Sequence, residues 1–217
     1  MLEVTGLSKA FGKQEVFREV TFSIGKGETI AITGESGSGK SVLARCIAGL
    51  CRPTAGHVKF HGARGRMQML FQDSDGSLNP RMSIREILEE PLRILGFPRT
   101  TKHIGRLLDS VSLPASLLDR YPRALSGGQR QRVAIARALA PEPLLLIADE
   151  PAASVDPSLQ AEVFLLLQEL RCDGSLSLLL ISHNMDVVRL MASRVLTMAG
   201  GRLTPAPLPR HIIPPVA

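Results

Sequence analysis

The stretch 29-TIAIT-33, 34-GESGSGKS-41 and 40-KSVLARCIAGL-50 constrains the fold more than any other part of the chain. The first five residues read as a short strand. The apolar spacing after Lys40 reads as a helix that Pro53 stops. Between them lies G-x-x-x-x-G-K-[ST] in full. Strand, glycine loop and helix form the setting in which this pattern wraps a phosphate. Glycines let backbone N–H groups turn inward where a Cβ would obstruct them, and the helix start adds its positive end. A glycine-rich turn of no special purpose would need neither flanking element. Gly34, Glu35, Ser36, Gly37, Ser38, Gly39, Lys40 and Ser41 are therefore assigned to a phosphate site. Lys40 would reach the β/γ-phosphates and the Ser41 hydroxyl would ligate Mg²⁺. Kinases, GTPases and ATPases share this loop, so the reaction stays open at this point.

The remaining pattern supplies the sheet that such a loop requires. Short strands are expected at 2–7, 15–24, 57–60 and 67–72. Residues 73–140 read as mainly helical, with a capping-box signature at Ser83 and Glu86 ahead of 84-IREILEEPLRIL-95. Apolar strands without alternation, 143-PLLLIA-148 and 176-LSLLLISH-183, then alternate with helices at 157–171 and 185–193. That pattern predicts an α/β fold with a mainly parallel sheet covered on both faces. Five prolines from Pro205 to Pro215 predict an extended tail over 204–217, after a single domain of 1–203. No internal repeat is visible.

The run 144-LLLIADEP-151 is apolar until Asp149 and Glu150. Such a strand ends at the carboxyl edge of a parallel sheet, where ligands bind. Asp149 there can hold Mg²⁺ through a water, and Glu150 can polarise a water that attacks a γ-phosphate. A kinase must exclude water, so the pair favours hydrolysis. The alternative is an N-capping Asp beside a surface Glu. Gln72 and His183 also close mostly apolar strands. Gln72 can contact Mg²⁺ or the attacking water, and His183 can hydrogen-bond the γ-phosphate. Taken singly, a Gln or His in such a place is more often structural than functional.

Composition narrows the partners. Aromatics are 4% of the chain with no Trp, which leaves no stacking platform for single-stranded nucleic acid. The formal charge of +6 comes from basic residues that are spread out rather than clustered. A solvated surface, with no nucleic-acid partner, is the expectation. Cys46, Cys51 and Cys172 form no C-x-x-C pair and read as reduced thiols, Cys46 in the core. The N-terminus shows no signal-peptide pattern, and no apolar run is long enough to span a bilayer. Work at a membrane would require docking on a partner.

One stretch has no obvious task within its own chain. 125-LSGGQ-129 opens a basic, apolar helix and looks like a second anion site. Placed between 34-GESGSGKS-41 and 144-LLLIADEP-151, and accompanied by Gln72, 154-SVD-156 and His183, it resembles the ATP-binding subunits of ABC transporters over about residues 1–203. The resemblance implies a P-loop NTPase of the ABC ATPase type: a mainly parallel core sheet, an N-terminal antiparallel β-part and an inserted helical subdomain at about 73–140. It implies ATP hydrolysis with Mg²⁺, the ligand set for the metal being Ser41, Gln72 and Asp149. Phe11 would stack on adenine. Ser126, Gly127, Gly128 and Gln129 would bind the ATP held by a second ATPase subunit, with Asp156 at the dimer seam. Glu150, His183 and Gln72 would be the catalytic set, and Gln72 would also link the nucleotide to a transmembrane permease subunit.

A narrower likeness lies in 71-FQDSDGSLNPRMSIREILEEPL-92, which resembles the second ATPase of dipeptide/oligopeptide/nickel-type importers. That implies two permeases, two different ATPases and, indirectly, a solute-binding protein, with this chain peripheral at the cytoplasmic face of the plasma or inner membrane. The second ATPase subunit would form a hetero- or homodimer with it. The segment 79-NPR-81 would face the permease. Three features depart from the pattern: a short link from Val58 to Gln72, SVD in place of SALD, and no long C-terminal extension. The last favours a nickel- or metallophore-type system over an oligopeptide one. A soluble non-transport ABC ATPase and an exporter ATPase are the alternatives. The first is disfavoured by the absence of a heptad run and of a second cassette, the second by NPR…EEPL.

Overall fold

Apolar residues spaced along the first 24 positions build a hairpin, β1 (Leu2–Phe11) antiparallel to β2 (Gln14–Ile24). Its Leu2, Val4, Leu7, Phe17, Val20, Phe22 and Ile24 all enter one buried cluster. β3 (Thr29–Thr33) follows, buried at every residue, and the glycine loop leads from it into α1 (Lys40–Ile47). β4 (Ala55–Phe60) returns to pair antiparallel with β1, giving a three-stranded sheet in the order β2-β1-β4. The computed structural model describes residues 1–208 apart from 64, 154–155 and 172–173. Ser154 and Val155 of the SVD segment, Cys172 and the last residues of the expected tail, 209–217, therefore lie outside the described residues.

β5 (Met67–Leu70) starts the second sheet. A helical section intervenes: α2 (Ser74–Ser77), α3 (Ile84–Leu95), α4 (Thr101–Ser110), two short 3₁₀ turns and α5 (Gly127–Leu139). The chain then alternates through β6 (Leu145–Asp149), α6 (Pro157–Glu169), β7 (Ser177–Ile181), α7 (Met185–Met191), β8 (Arg194–Ala199) and β9 (Arg202–Ala206). The six-stranded order is β5-β6-β7-β3-β8-β9. All neighbours are parallel except β9, which runs antiparallel to β8.

Side chains from the middle strands divide between two layers, as a period of two dictates. Leu145, Ile147, Leu179 and Ile181 pack with Ile30, Ile32, the hairpin residues and Leu43, Ala44 and Ile47 of α1. Leu146, Ala148, Leu178 and Leu180 pack on the other face, with α3, α4, α5 and α6. Burial on both faces explains why these strands read as unbroken apolar runs. In α3, Ile84, Ile87, Leu88 and Leu92 make one buried stripe, and in α4 Ile104, Leu107 and Leu108 do the same. Each such side chain contributes about 1.5–3 kcal/mol when fully buried. Arg137 of α5 donates to Glu90 of α3 at 2.9 Å, tying the helical section together. Cys46 lies in the core, where burial pushes its thiol up to about 12.

One expectation is corrected. Of the tail assigned to 204–217, Thr204, Pro205 and Ala206 instead belong to β9 and pair with Thr197, Leu196 and Val195. Pro205 has no N–H to give, and β9 is the edge strand, the place in a sheet where that loss is tolerated.

Candidate nucleotide site

The carboxyl ends of β3, β5, β6 and β7 carry the loops in which the predicted residues lie. After β3, the chain turns sharply through Gly34, Gly37 and Gly39, which have φ of 139°, 78° and 101°. Two of these positions are closed to other residues by space as well as by backbone angle. A Cβ on Gly34 would strike the Met198 carbonyl oxygen, and one on Gly39 would come within 2.9 Å of Val16. Gly39 is also the N-cap of α1, and no side chain caps that helix. No acidic residue lies in its first turn, so its positive end is presented to the loop. Lys40 is buried, and its Nζ donates to the carbonyl oxygens of Gly34 at 2.8 Å and Glu35 at 2.7 Å. The ammonium is thus curled back inside the loop formed by Glu35, Ser36, Gly37 and Ser38. Such a cradle fits a polyphosphate.

Asp149 closes β6 and is 2% exposed. The Ser41 hydroxyl donates to its Oδ1 at 2.9 Å. Burial pushes the Asp149 carboxyl above the ordinary carboxylate range, while the Ser41 hydrogen bond and the Arg45 guanidinium pull it back. Two hard oxygens this close, at the mouth of a phosphate cradle, suit Mg²⁺. Glu150 follows with φ +49°, a left-handed conformation uncommon for a glutamate. Its N–H donates to the Ile181 carbonyl at 3.0 Å. Its Oε1 lies 2.9 Å from His183 Nδ1, so two residues separated by 33 positions in sequence meet at the sheet edge. The Glu150 side chain is mostly covered, and the His183 ring is exposed. A carboxylate held by an imidazole in this way can accept a proton from water.

Gln72 lies two residues beyond β5. It lines a cleft of about 540 Å³ with Arg45, Phe71, Asp73, Gly76, Ser77 and Asp149. Arg45 was not singled out from the sequence. Its signal was its spacing: it follows Ser41 by one helical turn and so shares a face of α1 with it.

Ser126, Gly127, Gly128 and Gln129 sit apart from that group, at the start of α5. Ser126 is the N-cap, and its Oγ accepts from Gln129 N–H while the Gln129 side chain accepts from Ser126 N–H. This reciprocal box fixes the helix start. Ser126 and Gly127 are exposed. No hydrogen bond among the described residues joins Ser126–Gln129 to the loop of 34–41. Phe11 stands at the tip of the β1–β2 hairpin, 55% exposed, with Lys9 Nζ 4.4 Å from its ring centroid. Val16 of the same hairpin lies against Gly39, so the hairpin runs beside the phosphate loop. Asp156 is exposed just before α6. His183 is followed by Asn184, which caps α7.

Comparison with known proteins agrees with this geometry. The ABC transporter family profile matches residues 17–153. A nickel import ATP-binding protein, NikE, of Brucella suis biovar 1 is 41% identical over 210 residues, which span 89% of this chain and 79% of that protein. A peptide import ATP-binding protein of Brucella ovis is 40% identical over 223 residues, spanning 94% of this chain and 70% of that protein. Among solved structures, cbiO1 of Clostridium perfringens, part of the ABC transporter complex cbiONQ, superposes with a TM-score of 0.81 at 28% identity, covering 93% of this chain and 86% of its own. The ATP-binding cassette MJ0796, solved as a dimer in a post-hydrolysis state with ADP and Pi, also gives 0.81 at 27% identity, covering 97% and 100%. With its phosphate cradle, its carboxylate edge and these matches in agreement, this chain belongs to the ABC transporter family and is an ATP-binding, ATP-hydrolysing subunit of that family.

Proposed function

We propose that the chain powers import of nickel, a nickel chelate or peptides, as one of two ATPase subunits docked on a pair of permeases at the cytoplasmic face of the membrane. The names of the Brucella relatives support the direction of transport and the two solute classes. Among the described residues no helix is long and apolar enough to cross a membrane, so attachment would rest on partners. The exposed segment Asn79–Arg81, whose turn is closed by Arg81 N–H donating to Asn79 Oδ1 at 3.0 Å, supports a docking role beside Gln72.

The observation that carries the chemistry is Glu150, held at 2.9 Å by His183 at the carboxyl edge of the sheet, next to the Ser41–Asp149 pair. In the proposed reaction Glu150 takes a proton from water as the water oxygen attacks the γ-phosphorus. The bond from that phosphorus to the bridging oxygen breaks, and its electron pair leaves with ADP. Lys40 and the amides of 34–41 bind the β/γ-phosphates. Ser41, Asp149 and Gln72 would hold Mg²⁺, which supplies charge neutralisation at those phosphates. Phe11 stacks on the adenine. Ser126, Gly127, Gly128 and Gln129 close on the ATP of the second subunit, with Asp156 at the seam. The γ-phosphate stabilises the closed pair and its loss releases it, which switches permease access.

Purification of the tagged chain from its native host tests the assignment. Recovery with two permeases, and ATPase activity stimulated in reconstituted vesicles by a loaded solute-binding protein, is the expected result. Nickel chelates and peptides are offered separately to identify the cargo. Recovery with ribosomes or DNA, and no permease, would overturn import.

A further inference from the structure

We propose that Gln131 is a positioning residue that ties the helix opened by LSGGQ to the Glu150 carboxylate of the same chain. The inference rests on the proposed role of Glu150 as base.

Gln131 lies one turn into α5, four residues beyond Gly127, and is completely buried. Its Nε2 donates a hydrogen bond to the Pro151 carbonyl, 20 residues away. Pro151 follows Glu150 directly. Its ring fixes φ and leaves no N–H, so the carbonyl is its one backbone polar group. Besides the His183 contact to its carboxylate, three hydrogen bonds to backbone groups surround Glu150 at its φ of +49°. Glu150 N–H reaches the Ile181 carbonyl at the end of β7, and its own carbonyl accepts from Ala153 N–H at 3.1 Å. The Pro151 carbonyl accepts from Gln131. A left-handed glutamate persists only where its surroundings over-determine it. Of the three restraints, only the last comes from a helix, and that helix begins at Ser126.

The second observation is what Gln131 leaves undone. Its Oε1 is buried with no hydrogen-bond partner among the described residues. Neighbouring α5 residues Val133, Ala134 and Ile135 are apolar and buried, and Ala152 belongs to the same cluster. A methionine there would fill a similar volume and remove the stranded Oε1, but would leave the buried Pro151 carbonyl without its donor. The amide is explained by its donation to Pro151. A shift of α5 as Ser126 and Gly127 engage the ATP of another subunit is therefore passed to the peptide that carries the base. The cassette's two functional ends are mechanically joined within one chain, and Gln131 is the joint.

The test uses the full chain in its assembled complex, with Gln131→Met and Gln131→Glu. Gln131→Met removes the donor and the stranded acceptor together. The expected result is a thermal midpoint lowered by only a few degrees, for the unsatisfied Pro151 carbonyl, ATP KM within about twofold of wild type, and kcat per folded complex lowered about tenfold to hundredfold, the scale of a slight misplacement of a catalytic group. Gln131→Glu should depend on pH. When protonated, its buried carboxyl can donate to Pro151 and kcat approaches wild type. As pH rises and the carboxyl ionises, kcat falls relative to wild type at the same pH. Wild-type kcat per folded complex in Gln131→Met would overturn the inference. Should Gln131→Met not fold, the Gln131→Glu profile decides: a ratio to wild type that is flat with pH overturns it. The proposed function fails separately, if Glu150→Gln leaves the turnover of the wild-type background unchanged.

Discussion

Glu150 combines two features that seldom coincide: a side chain mostly withdrawn from water and a backbone in the left-handed region. The backbone conformation costs a residue of this kind about 1–3 kcal/mol, which the surrounding hydrogen bonds must hold in place. Glu150→Gln preserves volume and the contact to His183 but removes the carboxylate proposed as base. Turnover should fall by about 10²–10⁴-fold, the range for a general base, while ATP affinity stays near wild type. Steady-state phosphate release and binding of a fluorescent ATP analogue measure the two quantities. A mutant with unchanged turnover would remove Glu150 from that role. At this scale the sequence was informative where the chemistry is compressed into a few adjacent positions. The loop 34–41 and the pair Asp149–Glu150 could be read directly, because their spacing is set by the local backbone. Arg45 and Gln131 were missed for the opposite reason. Their partners, Asp149 and Pro151, are brought to them by the sheet and by helix packing; the spacing of Arg45 after Ser41 marks a shared face of α1 but not what that face meets.

α3 shows what a single element contributes. Ser83 N–H donates to Glu86 Oε2 at 2.7 Å, and Glu86 N–H donates to Ser83 Oγ at 3.3 Å, closing the capping box read from the sequence. Ser83→Ala should cost about 0.5–2 kcal/mol, typical for loss of an N-cap. The hydrogen bond from the Ser83 backbone, then that from its side chain, hold the Glu86 carboxyl below its ordinary value of 4.5. A lowered native pKa means that the ionised carboxylate favours the folded state. That stabilisation is present above the unfolded value and disappears as pH falls through the native one. The stability gap between wild type and Ser83→Ala should therefore be full at neutral pH and shrink below 4.5. Urea unfolding across that range checks it, and a gap independent of pH would dissociate the Ser83 contribution from the Glu86 charge. Element type was legible for α3, α4, β6 and β7 because each has a clear period or an unbroken apolar run. β9 was not. Pro205 signals a break when read locally, and only its position at the sheet edge makes it compatible with a strand.

For the whole molecule, the question is how the two segments proposed to bind anions relate. The phosphate loop is built into the sheet edge through β3 and α1. Ser126–Gln129 open α5 at the end of the helical section, with their own closed capping box. Nothing in the sequence fixes the distance between segments so far apart along the chain, which is why dimerisation entered through resemblance rather than through spacing. Where two copies of this chain pair, the proposed arrangement makes a sharp demand. Lys40→Ala removes the phosphate ligand from a chain's own half-site, and Ser126→Arg blocks the half-site that the chain offers to its partner. Each variant alone should be inactive as a dimer, since both composite sites then carry one lesion. Mixing the two places both lesions in one site of every mixed dimer and leaves the other site intact. Random assembly makes about half the dimers mixed, with one good site of two, so about a quarter of wild-type hydrolysis should return. If each chain instead closed its own Ser126 on its own phosphate loop, no site in the mixture would be whole and no activity would return. Separately purified variants, mixed at equal concentration with ATP and assayed for phosphate release, distinguish the two arrangements.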